Sequence, residues 1–276
     1  MAISDQLIER IHQTKQNSIH GFFDKIKTKK WVKDLYETLF LPQNDNTEDQ
    51  LKRNFEALQE TLSVLIHTVT GDKTLTEKQV SQFFEALPEL YNQLVLDAKS
   101  ILEFDPAADS LEEVYLAYPG FFATYVYRIS HQLWSQDVKI LPRVISEYAH
   151  SKTGIDIHPG ATIGKSFFID HGTGIVIGET TIIGNNVKIY QGVTLGALNV
   201  SKEKAHQKRH PNIDDDVIIY SGATILGGET TIGRESIIGG NVWVTQDVPA
   251  NSLVYHKSEI KIKDNSSLPE SLTFVI

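Results

Sequence analysis

Seven side chains in the second half of the sequence are of types that move protons or bind charge: Asp156, His158, Asp170, His171, Glu179, Arg209 and His210. Two of the histidines stand out by their neighbours, His171 after an aspartate and His210 after an arginine. An imidazole titrates near neutrality and works as a general base once a carboxylate fixes its tautomer. Asp156 precedes His171 by about one turn of a repeating coil. The set therefore reads as a base with an orienting carboxylate, beside an Arg–His pair suited to stabilising charge. Spacing alone also fits a turn-capping aspartate and a surface histidine. His158, just after Asp156 in a His-Pro step, reads as structural, as do His131 on a helix face and His206 in a loop.

The frame for these residues is a repeat. From about Gly154 to Val254 an aliphatic residue recurs every six positions: Ile157, Ile163 and Ile169; then Ile177, Ile183, Ile189 and Leu195; then Ile213, Ile219 and Ile225; then Ile232, Ile238 and Val244. A helix repeats every 3.6 residues and a strand every two, so neither sustains a period of six. A parallel β-helix with three short strands per turn does, one hexapeptide per strand and corner. A two-residue slip follows Ile169, a one-residue slip follows Ile225, and the stretch 199–208 has no inward pattern. That stretch reads as an extruded basic loop, the kind of interruption where function concentrates.

Residues 1–150 are written in helical period and read as an all-α domain, followed by the coil at 151–255 and a tail at 256–276. Leu7, Ile8 and Ile11 form one stripe, expected to be core. Thr47 opens a helix that Gly71 stops, Thr76 opens the next, and Pro88 is expected to end that helix and start another. Ser110 opens a further one, interrupted at Pro119-Gly120, and Val144, Ile145 and Tyr148 mark the last.

A formal charge of −9 argues against a general nucleic-acid or anionic-membrane binder. With no cysteine, disulfides, thiolate metal sites and Cys nucleophiles are excluded. The first residues do not read as a signal peptide, and a cytoplasmic location is the default expectation.

The runs Gly154-Ile-Asp-Ile-His-Pro-Gly, Ile169-Asp-His-Gly-Thr-Gly, Gln191-Gly-Val-Thr-Leu-Gly and Lys208-Arg-His-Pro closely resemble serine O-acetyltransferases, as do Phe104-Asp-Pro-Ala-Ala-Asp and the stretch 119–131. The resemblance covers roughly 100–250 and implies a left-handed parallel β-helix enzyme of cysteine biosynthesis. It would transfer acetyl from acetyl-CoA to L-serine, with no metal. It makes His171 the general base and Asp156 its orienting partner. Arg209 and His210 would bind the substrate carboxylate and the tetrahedral species, and Asp105 and Asp170 the ammonium, with Glu179 in support. It sets Gly196, Ala197, Ser221, Gly222 and Gly240 along acetyl-CoA. Lys202, Lys204 and Lys208 of the basic loop are read separately, either as contacts to the cofactor phosphates or as a solvated loop. The resemblance further implies a homotrimer or a dimer of trimers, feedback inhibition by cysteine, and a C-terminal Ile276 that enters O-acetylserine sulfhydrylase.

The loop after Leu195 and the run Tyr255-His-Lys-Ser-Glu-Ile depart from the family pattern, and residues 1–90 resemble it only in general. Two rival expectations keep the fold. One is an acyltransferase for another small amino acid or amino sugar. The other is an inactive scaffold, or a metal-dependent lyase like the γ-carbonic anhydrases using His158, His171 and His210.

Overall fold

The computed structural model describes residues 3–16, 23–42, 47–198 and 207–257. Seven helices come first: α1 (Asp5–Gln16), α2 (Lys25–Phe40), α3 (Glu48–Thr70), α4 (Lys73–Phe104), α5 (Leu111–Ala117), α6 (Pro119–Ser135) and α7 (Leu141–Thr153). Thr47 caps α3 by accepting from the Gln50 N–H at 3.2 Å, and Gly71 ends it in the left-handed conformation. Ser110 caps α5 in the same way. Two expectations are corrected. Asp72, not Thr76, caps α4, and that helix runs through Pro88 without a break. The lost N–H bond there is outweighed by a long buried face, from Val80 and Phe83 to Leu94 and Ile101. The α1 stripe is not core either: Leu7, Ile8 and Ile11 are 51%, 54% and 45% exposed.

The coil follows. Its strands fall into three parallel sheets: β1 (Asp156–Ile157), β4 (Val176–Ile177), β7 (Thr194–Gly196), β10 (Thr224–Leu226) and β13 (Trp243–Val244) in the first; β2 (Thr162–Ile163), β5 (Ile182–Ile183), β8 (Asn212–Ile213) and β11 (Thr231–Ile232) in the second. The third holds β3 (Phe168–Asp170), β6 (Lys188–Tyr190), β9 (Ile218–Ile219), β12 (Ile237–Ile238) and β14 (Leu253–Val254). Every aliphatic repeat position from Ile157 to Val244 is buried. Each such side chain contributes about 1.5–3 kcal/mol relative to exposure. The residues between these inward positions leave the corners free to vary.

Register shows what the slips do. Val176 pairs with Thr194, a turn of three hexapeptides. Asp156 pairs with Val176 over a slightly longer turn, so the slip after Ile169 is a bulged corner carrying His171. Thr194 pairs with Thr224 over a turn longer by two hexapeptides; the stretch read from sequence as an extruded loop falls in this turn, and its residues 199–206 lie outside the described residues.

The helices close the first turn of the coil. Tyr127 on α6 donates to the Ala161 carbonyl at 2.7 Å and accepts from the Ile163 N–H. Beside it Asp97 and Arg128 form a buried bidentate ion pair, 0% and 4% exposed. Arg128 also donates to the Gly164 carbonyl at 2.8 Å, and Asp97 accepts from the Phe167 N–H at 2.9 Å. Removing one partner of such a pair leaves a buried charge alone, at a cost of about 3–5 kcal/mol. Asp97→Ala should therefore lower the urea midpoint of unfolding strongly, measured at fixed protein concentration. A loss under about 1 kcal/mol would show that water solvates Arg128 instead. No described helix is long and apolar enough to cross a membrane.

Candidate active site

The polar residues of interest sit at two corners of the coil, on opposite edges of the first sheet. At the corner entering that sheet, Asp170 ends β3 and His171 follows with φ 57°. This left-handed conformation is shared by other corner residues, Ser166, Asn186 and Asp216 among them. The imidazole is 72% exposed, and its Nε2 lies 3.6 Å from an Asp170 oxygen. Helix α4 delivers Asp105 to the same region as its C-cap. Asp105 accepts from the Tyr118 hydroxyl at 2.7 Å and from the Ala107 N–H at 2.8 Å. Burial, the Asp105 hydrogen bond and nearby carboxylates including Asp170 push the Tyr118 phenol up to about 12. Among the described residues neither Asp105 nor Asp170 has a Lys or Arg ion-pair partner. This corner offers negative charge without its own cation, beside an open imidazole.

Asp156 lies on β1, under this corner. The Gly174 N–H bonds the Gly154 carbonyl and the Asp156 N–H bonds the Ile175 carbonyl. A Cβ on Gly172 would sit 2.4 Å from Ile155, so the His171 bulge rests directly on the segment that carries Asp156. In one chain the Asp156 carboxylate faces Glu147 and His150 of α7, their ligand atoms all within 4.8 Å, while His171 faces Asp170. Of the described residues, Glu147, His150 and Asp156 are the group with metal-ligand geometry.

The other corner, leaving the first sheet, gathers His158, Glu179, Thr180, Arg209 and His210. Arg209 pairs with Glu179. The His210 ring lies across Gly178, where a Cβ would stand 2.0 Å from its Cδ2. Its Nδ1 is 2.9 Å from the Thr180 hydroxyl and 3.1 Å from the Thr180 N–H. Burial, then the Arg209 and Lys208 charges, push His210 down to about 4. His158 accepts the Gly160 N–H at 3.0 Å, meets Trp134 edge-on, and is likewise held at about 4, first by burial. Lys208, lowered to about 8 by burial, donates to the Thr180 and Pro211 carbonyls. It is thus engaged at this corner. Lys202 and Lys204 lie outside the described residues, as do His206 and Ile276.

These depressed histidines make a pH prediction. Both are neutral in the fold, whereas an unfolded histidine protonates near its ordinary 6.5. Their stabilising contribution is full above about 6.5 and is lost as pH falls toward about 4. Thermal midpoints should drop across that window, less steeply in His158→Gln. Parallel slopes for the two proteins would remove His158 from the account.

The residues expected along a cofactor divide between the same two edges. Gly196 and Ala197 end β7 at the leaving corner, while Ser221, Gly222 and Gly240 lie at the entering corner. There Gly174, Gly192 and Gly222 stack with φ above zero, each added Cβ at 174 and 192 meeting the next glycine at 3.5 Å. Tyr118, Gly178 and Thr180 escaped the sequence reading as site residues. Nothing in sequence links Tyr118 to Asp105, and Gly178 and Thr180 look like ordinary repeat filler.

A helical cap on a six-residue-repeat coil, with imidazoles and carboxylates at its corners, is the architecture of the left-handed parallel β-helix acyltransferases. No family model matches the chain. It is 48% identical over 203 residues to a plasmid serine acetyltransferase of Synechococcus elongatus, covering 69% of this chain and 63% of that protein. It is 49% identical over 164 residues to the serine acetyltransferase of Bacillus subtilis, covering 59% of this chain and 73% of that one. Among solved structures, serine acetyltransferase 1 of Entamoeba histolytica with L-cysteine superposes with TM-score 0.78 at 35% identity, over 91% of this chain and 96% of that one. The Neisseria gonorrhoeae enzyme in complex with serine gives 0.59 at 27% identity, over 87% and 98%. The chain belongs to the serine acetyltransferase family.

Proposed function

We propose that this chain transfers the acetyl group of acetyl-CoA to the hydroxyl of L-serine, giving O-acetylserine and CoA, with His171 as general base oriented by Asp156. The observation that carries this is the division of charge between the corners. Asp105 and Asp170 suit an ammonium, and Arg209 with His210 suits a carboxylate. An amino acid presents both ends, whereas a neutral sugar uses neither. His158 and His210 share one corner and His171 stands at the other, so a metal held by all three, as the lyase rival requires, would lie between copies; a zinc analysis of the purified protein tests that rival.

In this reading His171 takes the hydroxyl proton as the serine oxygen attacks the thioester carbonyl. The tetrahedral species collapses by expelling the thiolate, which recovers the proton from the imidazolium. Arg209 and the neutral His210 ring hold the substrate carboxylate and the developing oxyanion. Asp156 orients the base after the exposed His171 ring turns from Asp170 toward β1. Small residues at both edges, Gly196 and Ala197 at one and Ser221, Gly222 and Gly240 at the other, suit close approach of the acetyl-CoA arm.

The split also supports assembly. A heterologous contact that sets the entering corner of one copy against the leaving corner of the next completes a site and closes into a ring, here a trimer. The helical half would join two trimers. Cysteine, isosteric with serine, would compete for the same pocket; the E. histolytica relative was solved with it bound. The C-terminal tail with Ile276 is proposed to bind O-acetylserine sulfhydrylase, and the location to be cytoplasmic. Acetyl-CoA turnover against a panel of amino-acid acceptors tests the reading. Serine should exceed homoserine, threonine and glucosamine clearly, and a preference for any of these would overturn the substrate.

A further inference from the structure

We propose that Thr180 is a positioning residue that sets the tautomer of His210 and seats the Lys208–His210 segment that leads into β8. This deepens the serine acetyltransferase reading and rests on His210 facing the substrate.

Three polar groups of Thr180 all turn to that segment. Its N–H lies 3.1 Å from His210 Nδ1. A backbone N–H only donates, so Nδ1 must carry the lone pair. The Thr180 hydroxyl oxygen accepts the backbone N–H groups of Arg209 at 3.0 Å and His210 at 3.1 Å. Both its lone pairs are then used, and its single proton goes to the remaining neighbour, His210 Nδ1 at 2.9 Å. The Thr180 carbonyl accepts from the Lys208 ammonium.

His210 Nδ1 therefore receives two donors, and the neutral ring carries its hydrogen on Nε2. Among the described residues of one chain Nε2–H has no acceptor, which leaves it for substrate. Gly178 beneath the ring fixes its plane. The charged groups around it are Arg209, Lys208 and Glu179, with His158 beyond. Burial first, and then the two cations, oppose protonation, in agreement with a ring that stays neutral down to about 4. Thr181, one residue on, is buried with its hydroxyl unpartnered among the described residues. The chemistry is thus particular to Thr180 and not to corner threonines in general.

The test compares wild type, Thr180→Val, Thr180→Ser and Thr181→Val. Nitrogen-15 histidine spectra are assigned by the signal lost in His210→Gln, and serine kinetics are measured in parallel. Wild-type His210 should show the Nε2–H tautomer through about pH 5. Thr180→Val keeps the backbone N–H to Nδ1 and therefore the Nε2–H tautomer. Without the hydroxyl bond to Nδ1 its ring should titrate closer to 6.5, and kcat/KM for serine should fall roughly 10- to 100-fold. Thr180→Ser should restore both readouts, and Thr181→Val should leave the ring signals as in wild type.

An Nδ1–H tautomer in wild type overturns the proposal without any variant, which covers a Thr180→Val protein that does not fold. An unchanged ring in Thr180→Val, or a changed ring with unchanged serine turnover, overturns it as well. Should wild type fail to acetylate serine at all, the functional reading falls. The spectra would still decide whether Thr180 sets the ring.

Discussion

Replacing His171 by alanine should lower kcat for serine acetylation by about 10²–10⁴-fold, with little change in the KM for acetyl-CoA. The size follows from the role. The serine hydroxyl is a poor nucleophile at neutral pH, and a positioned base removes its proton as the bond to the thioester carbon forms. His171 is suited to this by its place on a bulged corner, where the imidazole projects from the wall of the coil and is 72% exposed. Adding Asp156→Asn to the alanine variant should cost little more, because an orienting carboxylate acts through the base. Asp156→Asn alone should cost a large fraction of the His171→Ala effect. Steady-state rates for the two single variants and the double variant settle both points. Full activity in His171→Ala removes the base, and additive losses remove the Asp156–His171 pairing.

The second large effect is recovery by mixing. His171 and Arg209 lie on opposite edges of one sheet, so a complete site between copies takes His171 from one chain and Arg209 from the next. His171→Ala and Arg209→Ala assemblies should each be nearly inactive. Dissociated and reassembled together in equal amounts, they should reach about one quarter of wild-type activity, because half the chains supply each side of a contact. That is a gain of about two orders of magnitude over either parent if each retains only about 10⁻²–10⁻³ of the rate. Sites built within single chains would give no gain, since every chain would carry one lesion. Recovered activity must also track mixed assemblies separated by a tag on one chain.

Much of this protein is legible in its residues because the signals are local and periodic. Burial of one aliphatic side chain per hexapeptide specifies a three-sided coil, whatever the corners contain. The slips are counted directly in the sequence, and they reappear in the register as the Asp156–Val176 and Thr224–Trp243 turns, two residues and one residue longer than three hexapeptides. Thr47, Gly71 and Ser110 mark helix ends because their side chains or backbone freedom act on groups close by in the chain. Where helix stability came from distant packing, local signals failed. Pro88 did not break α4, and the α1 stripe, though amphipathic, stays exposed among the described residues.

The site divides along the same line. The residue types and their order, Asp156, Asp170-His171 and Arg209-His210, are properties of the sequence alone. Only the tertiary structure assigns His171 and His210 to opposite edges of a sheet, because a corner's place on the prism depends on how many residues each turn consumes. Only it brings Asp105 from a helix end to Asp170, with Tyr118 between helices as donor. Only it shows Thr180 and Gly178 shaping the His210 ring from a full turn of the coil away. A side chain's chemistry is written at its own position, but its neighbours across the coil are set by turn length and packing.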